Sequence, residues 1–335
     1  MIIRGGRIAW LDFVRGVTIC LVVLWHAFLA AQLLGPIPTP VKLGNYALQG
    51  LRMPLFFFCS GMLAYWGLRK SWDEIVRGRI GIMLWVILVW TCLSYAFDSL
   101  ITLNPWSGHL DVASAFWLPA GNLWFIYALL LVTIFAKSVR ELPIVLQLAL
   151  TAGLHLLFNL IVTIDGALTQ SHAVEALARY APIFFMAGIW LSPVVQRLVE
   201  EEKVSAAGIA MFVAAALGAM AAKYALPDIP YAVVAAPIVA ATIAIAARYG
   251  EHIVGFGPLQ ALGRCTLEVF LIHQFVIAGA YAILSEIGLS NGLVALVVIF
   301  ASALGVSVLA IRTMSQPGLI WLLRPPRFRQ KAMPA

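Results

Sequence analysis

The chain has 335 residues, 62% of them hydrophobic and 11% charged, with a formal net charge of +7. A soluble domain carries about a quarter charged residues, so too few charges are present to dress a water-facing surface, and a soluble fold is excluded. The four cysteines, Cys20, Cys59, Cys92 and Cys265, sit in apolar stretches without paired spacing, which excludes a disulfide framework and gives no zinc pattern; no metal is expected.

Apolar stretches long enough to cross a hydrocarbon core, roughly 20 residues as a helix, recur along the whole chain. They predict an all-α polytopic membrane bundle of about ten helices, at 10–32, 47–67, 80–101, 120–137, 142–163, 179–198, 205–223, 230–248, 265–285 and 291–313. The first follows Arg4 and Arg7 in the manner of a signal peptide. Asp12, Arg15 and His26 interrupt it and further spans follow, so it is read as a retained helix. Breakers fall between spans at Gly35-Pro36-Ile37-Pro38, Asn104-Pro105, Leu226-Pro227 and Ile229-Pro230. No repeat or soluble insert is visible, which predicts a single membrane domain over 1–323 and a basic, proline-rich, disordered tail over 324–335. With the N-terminus in the cytoplasm, only Lys42, Arg52, Arg179 and Lys223 of the 22 Lys and Arg fall on the outer side. That bias predicts both termini in the cytoplasm. It accounts for the net charge through an anionic inner leaflet, with no nucleic-acid partner.

Ionisable residues inside spans are costly and mark function. In the first span, Arg15 and His26 are eleven residues apart, which leaves them within roughly 20° on one stripe and about 16 Å apart along the axis. Ile19 and Val22 lie between them, and Asp12 is one turn below Arg15, poised to pair with it. The second span opens Leu51-Arg52-Met53-Pro54, with Pro54 expected in the first helical turn. An antiparallel second helix brings Arg52 to about the depth of His26. Asn122, Trp124 and Tyr127 open the fourth span, where Trp and Tyr suit a membrane interface. His155 and Asn159 in the fifth are one turn apart and suit an interhelical hydrogen bond; Glu200-Glu201-Glu202 reads as a solvated loop. In the ninth, Arg264 and Glu268 are four apart and expected to pair. His273 lies about 140° round from Glu268 and must face another helix, the first being the candidate.

Four blocks carry a resemblance. Leu11-Asp12-Phe13-Val14-Arg15-Gly16 followed by His26, Arg52 to Gly61, Leu123-Trp124-Phe125-Ile126-Tyr127, and Leu262 to His273 are together similar to the blocks of the acyltransferase 3 family. The resemblance covers about residues 9–275. Within it, Arg77 and Arg79 stand two apart where relatives carry a spaced arginine pair, Trp85 stands near a family proline, and Thr266 and Phe270 replace Ser and Tyr.

The resemblance implies an integral membrane O-acyltransferase of a bacterial cytoplasmic membrane. It would move acetyl or a similar group from cytoplasmic acyl-CoA to an extracytoplasmic glycan or glycolipid. It implies a catalytic set of His26, Arg52, Glu268 and His273, donor-binding by Asp12, Arg15, Arg79 and Arg264, and acceptor-binding by Ser60, Asn122, Trp124 and Tyr127. His26 is expected either as general base on an acceptor hydroxyl or as a transient acyl carrier. Arg52 is expected to polarise the thioester carbonyl or hold an anionic acceptor. Buried Arg, His, Glu and Asp also suit a proton-coupled transporter or flippase, and a non-catalytic membrane scaffold is a third reading.

Overall fold

The computed structural model describes residues 8–100, 123–164, 171–226, 228–249, 256–314, 316 and 318–326. Among them every regular element is helical, as a bilayer demands of backbone that must satisfy its own hydrogen bonds. In chain order these are α1 (Ala9–Leu34), α2 (Thr39–Ala47), α3 (Gln49–Gly67), α4 (Trp72–Ile75), a π-helical turn (Val76–Ile80) and α5 (Gly81–Leu100). Next come α6 (Trp124–Val139), α7 (Ile144–Ile164), α8 (His172–Arg179), α9 (Ala181–Glu200) and α10 (Ala206–Ala225). The last are α11 (Tyr231–Tyr249), α12 (Phe256–Arg264), α13 (Thr266–Glu286), α14 (Gly292–Met314) and a 3-10 turn (Ile320–Leu322).

Among the described residues, 9 helical stretches are long and apolar enough to cross a membrane, and Trp124–Val139 is a shorter apolar helix. Together they correspond one for one with the predicted spans. Burial is unequal among them. In the α2–α3 stretch 61% of the apolar window is buried and in α1 44%, against 6% in α7 and in α10. The centre of the bundle is therefore α1 and α3, and α7 and α10 present their side chains outward.

Two glycine pairs fix that centre. A Cβ on Gly16 of α1 would run into the Leu259 carbonyl of α12, and one on Gly263 into the Asp12 carbonyl of α1. Gly61 of α3 and Gly188 of α9 are related in the same way, through the Phe185 and Phe58 carbonyls. Small residues let helix backbones touch where lipid supplies no hydrophobic drive for association. The first crossing holds the end of α12 against the Asp12–Gly16 turn.

Several expectations are corrected. Pro54 is not in the first turn but inside α3, which begins at Gln49; its missing N–H leaves the helix one bond short there. A short helix, α2, follows the Pro36–Pro38 breaker. Arg179 closes a separate helix, α8, and does not open the sixth span. Arg264 and Glu268 do not share a helix, because the chain breaks at Cys265, with φ −119° and ψ 28°. The break turns Arg264 to Asp12, at 3.6 Å, leaving Glu268 half-buried one residue-pair into α13.

Candidate active site

The stripe on α1 opens on a cavity at each end. The cavity at the Arg15 end is about 450 Å³ and is lined by Arg15, Ser60, Arg79 and Thr266 together with Phe56, Phe125 and Phe270. Arg15 donates from Nη2 to Thr266 Oγ1 at 2.6 Å and from Nη1 to Asp12 Oδ1 at 3.4 Å. The hydroxyl of Thr266 thus takes the place in which the sequence resemblance expects a Ser hydroxyl. Arg79 donates to the Ser60 carbonyl at 3.4 Å.

Local sequence places Arg79. Ser71 and Glu74 form a capping box that starts α4, with Ser71 N donating to Glu74 Oε2 at 3.0 Å and Ser71 Oγ accepting from Glu74 N at 3.3 Å. The chain then widens into the π-turn. Arg77 pairs outward with Asp73 at 2.8 Å, and Arg79, two residues on, points into the cavity. Arg79 Nε is buried and has no partner among the described residues. Two guanidinium groups thus face one space. The nearest carboxylate, Asp12, is shared with Arg264. That balance favours an anion with several acceptor oxygens, such as a phosphate.

The cavity at the other end is also about 450 Å³. It is lined by Trp25, His26, Arg52, Trp124, Glu175, Arg179, Tyr180, Tyr231 and Gln274, among others. Arg52 is only 4% exposed. It donates from Nη2 to the Asn45 carbonyl at 2.5 Å and to Asn45 Oδ1, and lies over the Trp25 ring at 4.8 Å. Tyr231 donates to the Gln49 carbonyl at 2.6 Å, and its ring stands 5.5 Å from that of Tyr180. On α8, Glu175 sits between His172 at 3.6 Å and Arg179 at 3.2 Å. The hydrogen bond from His172 lowers the Glu175 carboxyl below its ordinary pKa, burial opposes it, and the charge of Arg179 adds to the lowering.

Between the cavities lies a histidine pair whose tautomers follow from geometry. His273, fully enclosed on α13, has Nδ1 3.1 Å from the Val269 carbonyl. A carbonyl only accepts, so Nδ1 carries the proton and Nε2 the lone pair. His273 Nε2 lies 3.2 Å from His26 Nδ1, which is itself 3.0 Å from the Val22 carbonyl. His26 Nδ1 is therefore the donor to both, and His26 Nε2 is left as a free base at the cavity wall.

The family model described as an acyltransferase domain matches residues 8–312, which takes in both cavities and the histidine pair. The chain belongs to the acyltransferase 3 family. It is an integral membrane acyltransferase, working between an acyl donor and an acceptor. No curated protein and no solved structure matches it.

The acyltransferase brings together His26, Arg52 and His273 in one region, and Asp12, Arg15, Arg79 and Arg264 in another. Ser60 belongs with the second group, beside Arg79, and not with the outer aromatic residues where it was expected. Eight residues of helix separate it from Arg52, about 12 Å. Trp124 lines the cavity of His26. Tyr127, a turn further on, is half-buried against the core and lines neither cavity. Asn122 lies outside the described residues. Asn159 donates to the Ala178 carbonyl of α8 at 2.5 Å, so that position is an interhelical bond. Sequence reasoning missed His172, Glu175, Arg179, Tyr180, Tyr231 and Gln274. The one available signal was the His172, Glu175, Arg179 spacing of three and four, which puts three polar groups on one helix face.

Proposed function

We propose that this acyltransferase takes acetyl or a similarly short acyl group from cytoplasmic acyl-CoA and places it on a hydroxyl of an extracytoplasmic glycan or glycolipid. The observation that carries the reading is the His26–His273 pair, set between a cavity of two arginines and a cavity of aromatic and mixed polar groups. Arg15 and Arg79 hold the phosphates of the donor. The pantetheine arm follows the Arg15–His26 face of α1, a distance of about 16 Å. Trp25, Trp124, Tyr180 and Tyr231 offer faces for the apolar side of a sugar ring, and Glu175, Arg179 and Gln274 offer partners for its hydroxyls.

In the transfer, His26 Nε2 takes the proton of the acceptor hydroxyl as its oxygen attacks the thioester carbonyl. The tetrahedral intermediate collapses, the C–S bond breaks, and the thiolate of CoA leaves with the proton that His26 returns. Arg52 faces the oxyanion or an anionic group of the acceptor. His273 accepts from His26 Nδ1 throughout, fixing the tautomer and sharing the imidazolium charge, and so acts as a positioning residue. Glu268, half-buried and outside both cavities, has no step in this scheme.

Mass spectrometry of surface glycans and glycolipids from cells with and without the protein tests the reading. One acyl mass should disappear with the protein; an unchanged profile would remove the reading. The orientation is tested by reporter fusions, which should read cytoplasmic after residues 75 and 140 and external after residues 40 and 289.

A further inference from the structure

The two cavities share no lining residue. On α1 the change from one to the other falls across the fully enclosed Ile19, and on the other three helices that contribute to both it falls at an aromatic ring. On α3, Met53 lines the His26 cavity and Phe56 the Arg15 cavity; on α6 the change comes between Trp124 and Phe125. On α13, Phe270 lines the Arg15 cavity, His273 follows one turn later, and Gln274 lines the other cavity. These rings interlock. The Phe125 ring stands 4.8 Å from that of Phe56, 5.0 Å from Phe57 and 5.2 Å from Phe270, and Phe270 stands 5.7 Å from His273. All four phenylalanines are buried. The result is a layer of rings between the Arg15 cavity and the histidine pair.

This arrangement bears on the donor reading above and rests on it. A thioester entering from the arginine end must cross the layer to meet His26 Nε2. Phe57 is fully enclosed and lines neither cavity, so it has nowhere to turn in a close-packed interior. Phe125 and Phe270 each border open space on the Arg15 side, so their rings can rotate into it. Rotation of one ring opens a slot about as wide as the ring is thick. An unbranched acyl chain and the pantetheine behind it are thin enough for such a slot. A chain branched beside the carbonyl, or an aryl group, has to displace the second ring against Phe57.

We infer that Phe125 and Phe270 determine which acyl groups are transferred, admitting unbranched chains and excluding branched or aryl ones of similar size. The test uses membranes of the source cells in which the wild-type gene is replaced by each variant. They are supplied with acetyl-, butyryl-, isobutyryl- or benzoyl-CoA, and acyl incorporation into membrane glycans and glycolipids is measured. Wild type should favour butyryl over isobutyryl by roughly tenfold or more, the scale on which shaped apolar sites discriminate. Phe125→Ala and Phe270→Ala should each raise isobutyryl and benzoyl transfer relative to acetyl by about tenfold. Phe270→Leu, which nearly keeps the packing volume, should move in the same direction by less and guards against a folding defect in the alanine variants. Equal use of butyryl and isobutyryl by wild type, or unchanged ratios in all three variants, would overturn the inference. Wild-type membranes that incorporate no acyl group from any of the four thioesters would instead overturn the donor reading, and this inference with it.

Discussion

The two cavities at the ends of the α1 stripe have the same volume, about 450 Å³, and different linings. The one at Arg15 sets two guanidinium groups against a single carboxylate that Arg264 also uses. The one at His26 holds Arg52 on neutral Asn45 and Arg179 on Glu175, and surrounds them with four aromatic rings. A site with surplus charge grips a charged handle whatever is attached to it. A site whose cations are already held by neutral or acidic partners and whose walls are flat rings recognises shape and hydroxyl pattern. On the proposed function, holding the donor falls to the first cavity and choosing the acceptor to the second, with His26 serving the second task. Substitutions at the two ends should accordingly fail in different ways.

The largest effect is expected at His26. His26→Gln keeps hydrogen bonding but supplies no base, so acyl transfer in membranes should fall by at least about a hundredfold. Acyl-CoA affinity of the purified protein should stay as it was, because the arginines lie about 16 Å away. Residual activity above about a tenth of wild type would take base catalysis away from His26.

Next comes the other end. Arg15→Ala or Arg79→Ala each removes charge-assisted hydrogen bonds of about 1.5–3 kcal/mol, so acyl-CoA should bind some ten- to a hundredfold more weakly. The rate at saturating donor should change little. Arg15→Lys should restore binding only in part, since an ammonium lacks the planar fork. Titration with acyl-CoA at two salt concentrations checks this, and wild-type affinity in both alanine variants would dissolve the contrast between the ends.

A smaller effect separates position from chemistry at His273. His273→Leu removes the side-chain acceptor for His26 Nδ1–H, leaving only the Val22 carbonyl, and should lower kcat by roughly tenfold or more, with KM for acyl-CoA unchanged. His273→Gln restores a carbonyl acceptor and should recover most of the rate. A rescue that fails while the protein remains folded would mean that His273 itself exchanges protons.

How much of this was written in the sequence depends on what holds each group in place. Arg15, His26 and Asp12 were legible because one continuous helix relates them, and helical rise and rotation need no tertiary knowledge. The meeting of His273 with α1 was legible by elimination, since no partner shared its face. Arg264 was misassigned to Glu268 because a single non-helical residue, Cys265, rotates everything before it. Nothing in the local sequence marks that residue, and the cause is the glycine crossing of α12 on α1. Ser60 was grouped with the acceptor residues, although its eight-residue spacing from Arg52 already put it toward the Arg15 end. The α8 cluster showed only as the His172, Glu175, Arg179 spacing: its residues join the site through helices far apart in sequence, as Arg179 does with Tyr231 and Trp25.

The smallest prediction probes that α8 cluster through pH. The Glu175 carboxyl lies below its ordinary pKa, first because His172 hydrogen-bonds its ionised form and then because Arg179 is near, with burial opposing. A depressed folded pKa means that the ionised form is favoured in the folded state. The contribution is therefore complete above the unfolded value of about 4.3 and is lost as pH falls through the lower folded value. The Glu175 side chain is 35% exposed, so solvent screening limits the contribution to about 0.5 kcal/mol. The melting temperature of wild type should exceed that of Glu175→Gln by a degree or two (about the size of such an increment in a chain this long) between pH 6 and 7. The gap should close as the pH is lowered below about 4. Donor binding should be the same in both proteins over the whole range, because Glu175 lines the His26 cavity and not the Arg15 cavity. A change in acyl-CoA affinity in Glu175→Gln would mean that the two ends are coupled, and the division between holding and choosing would have to be redrawn.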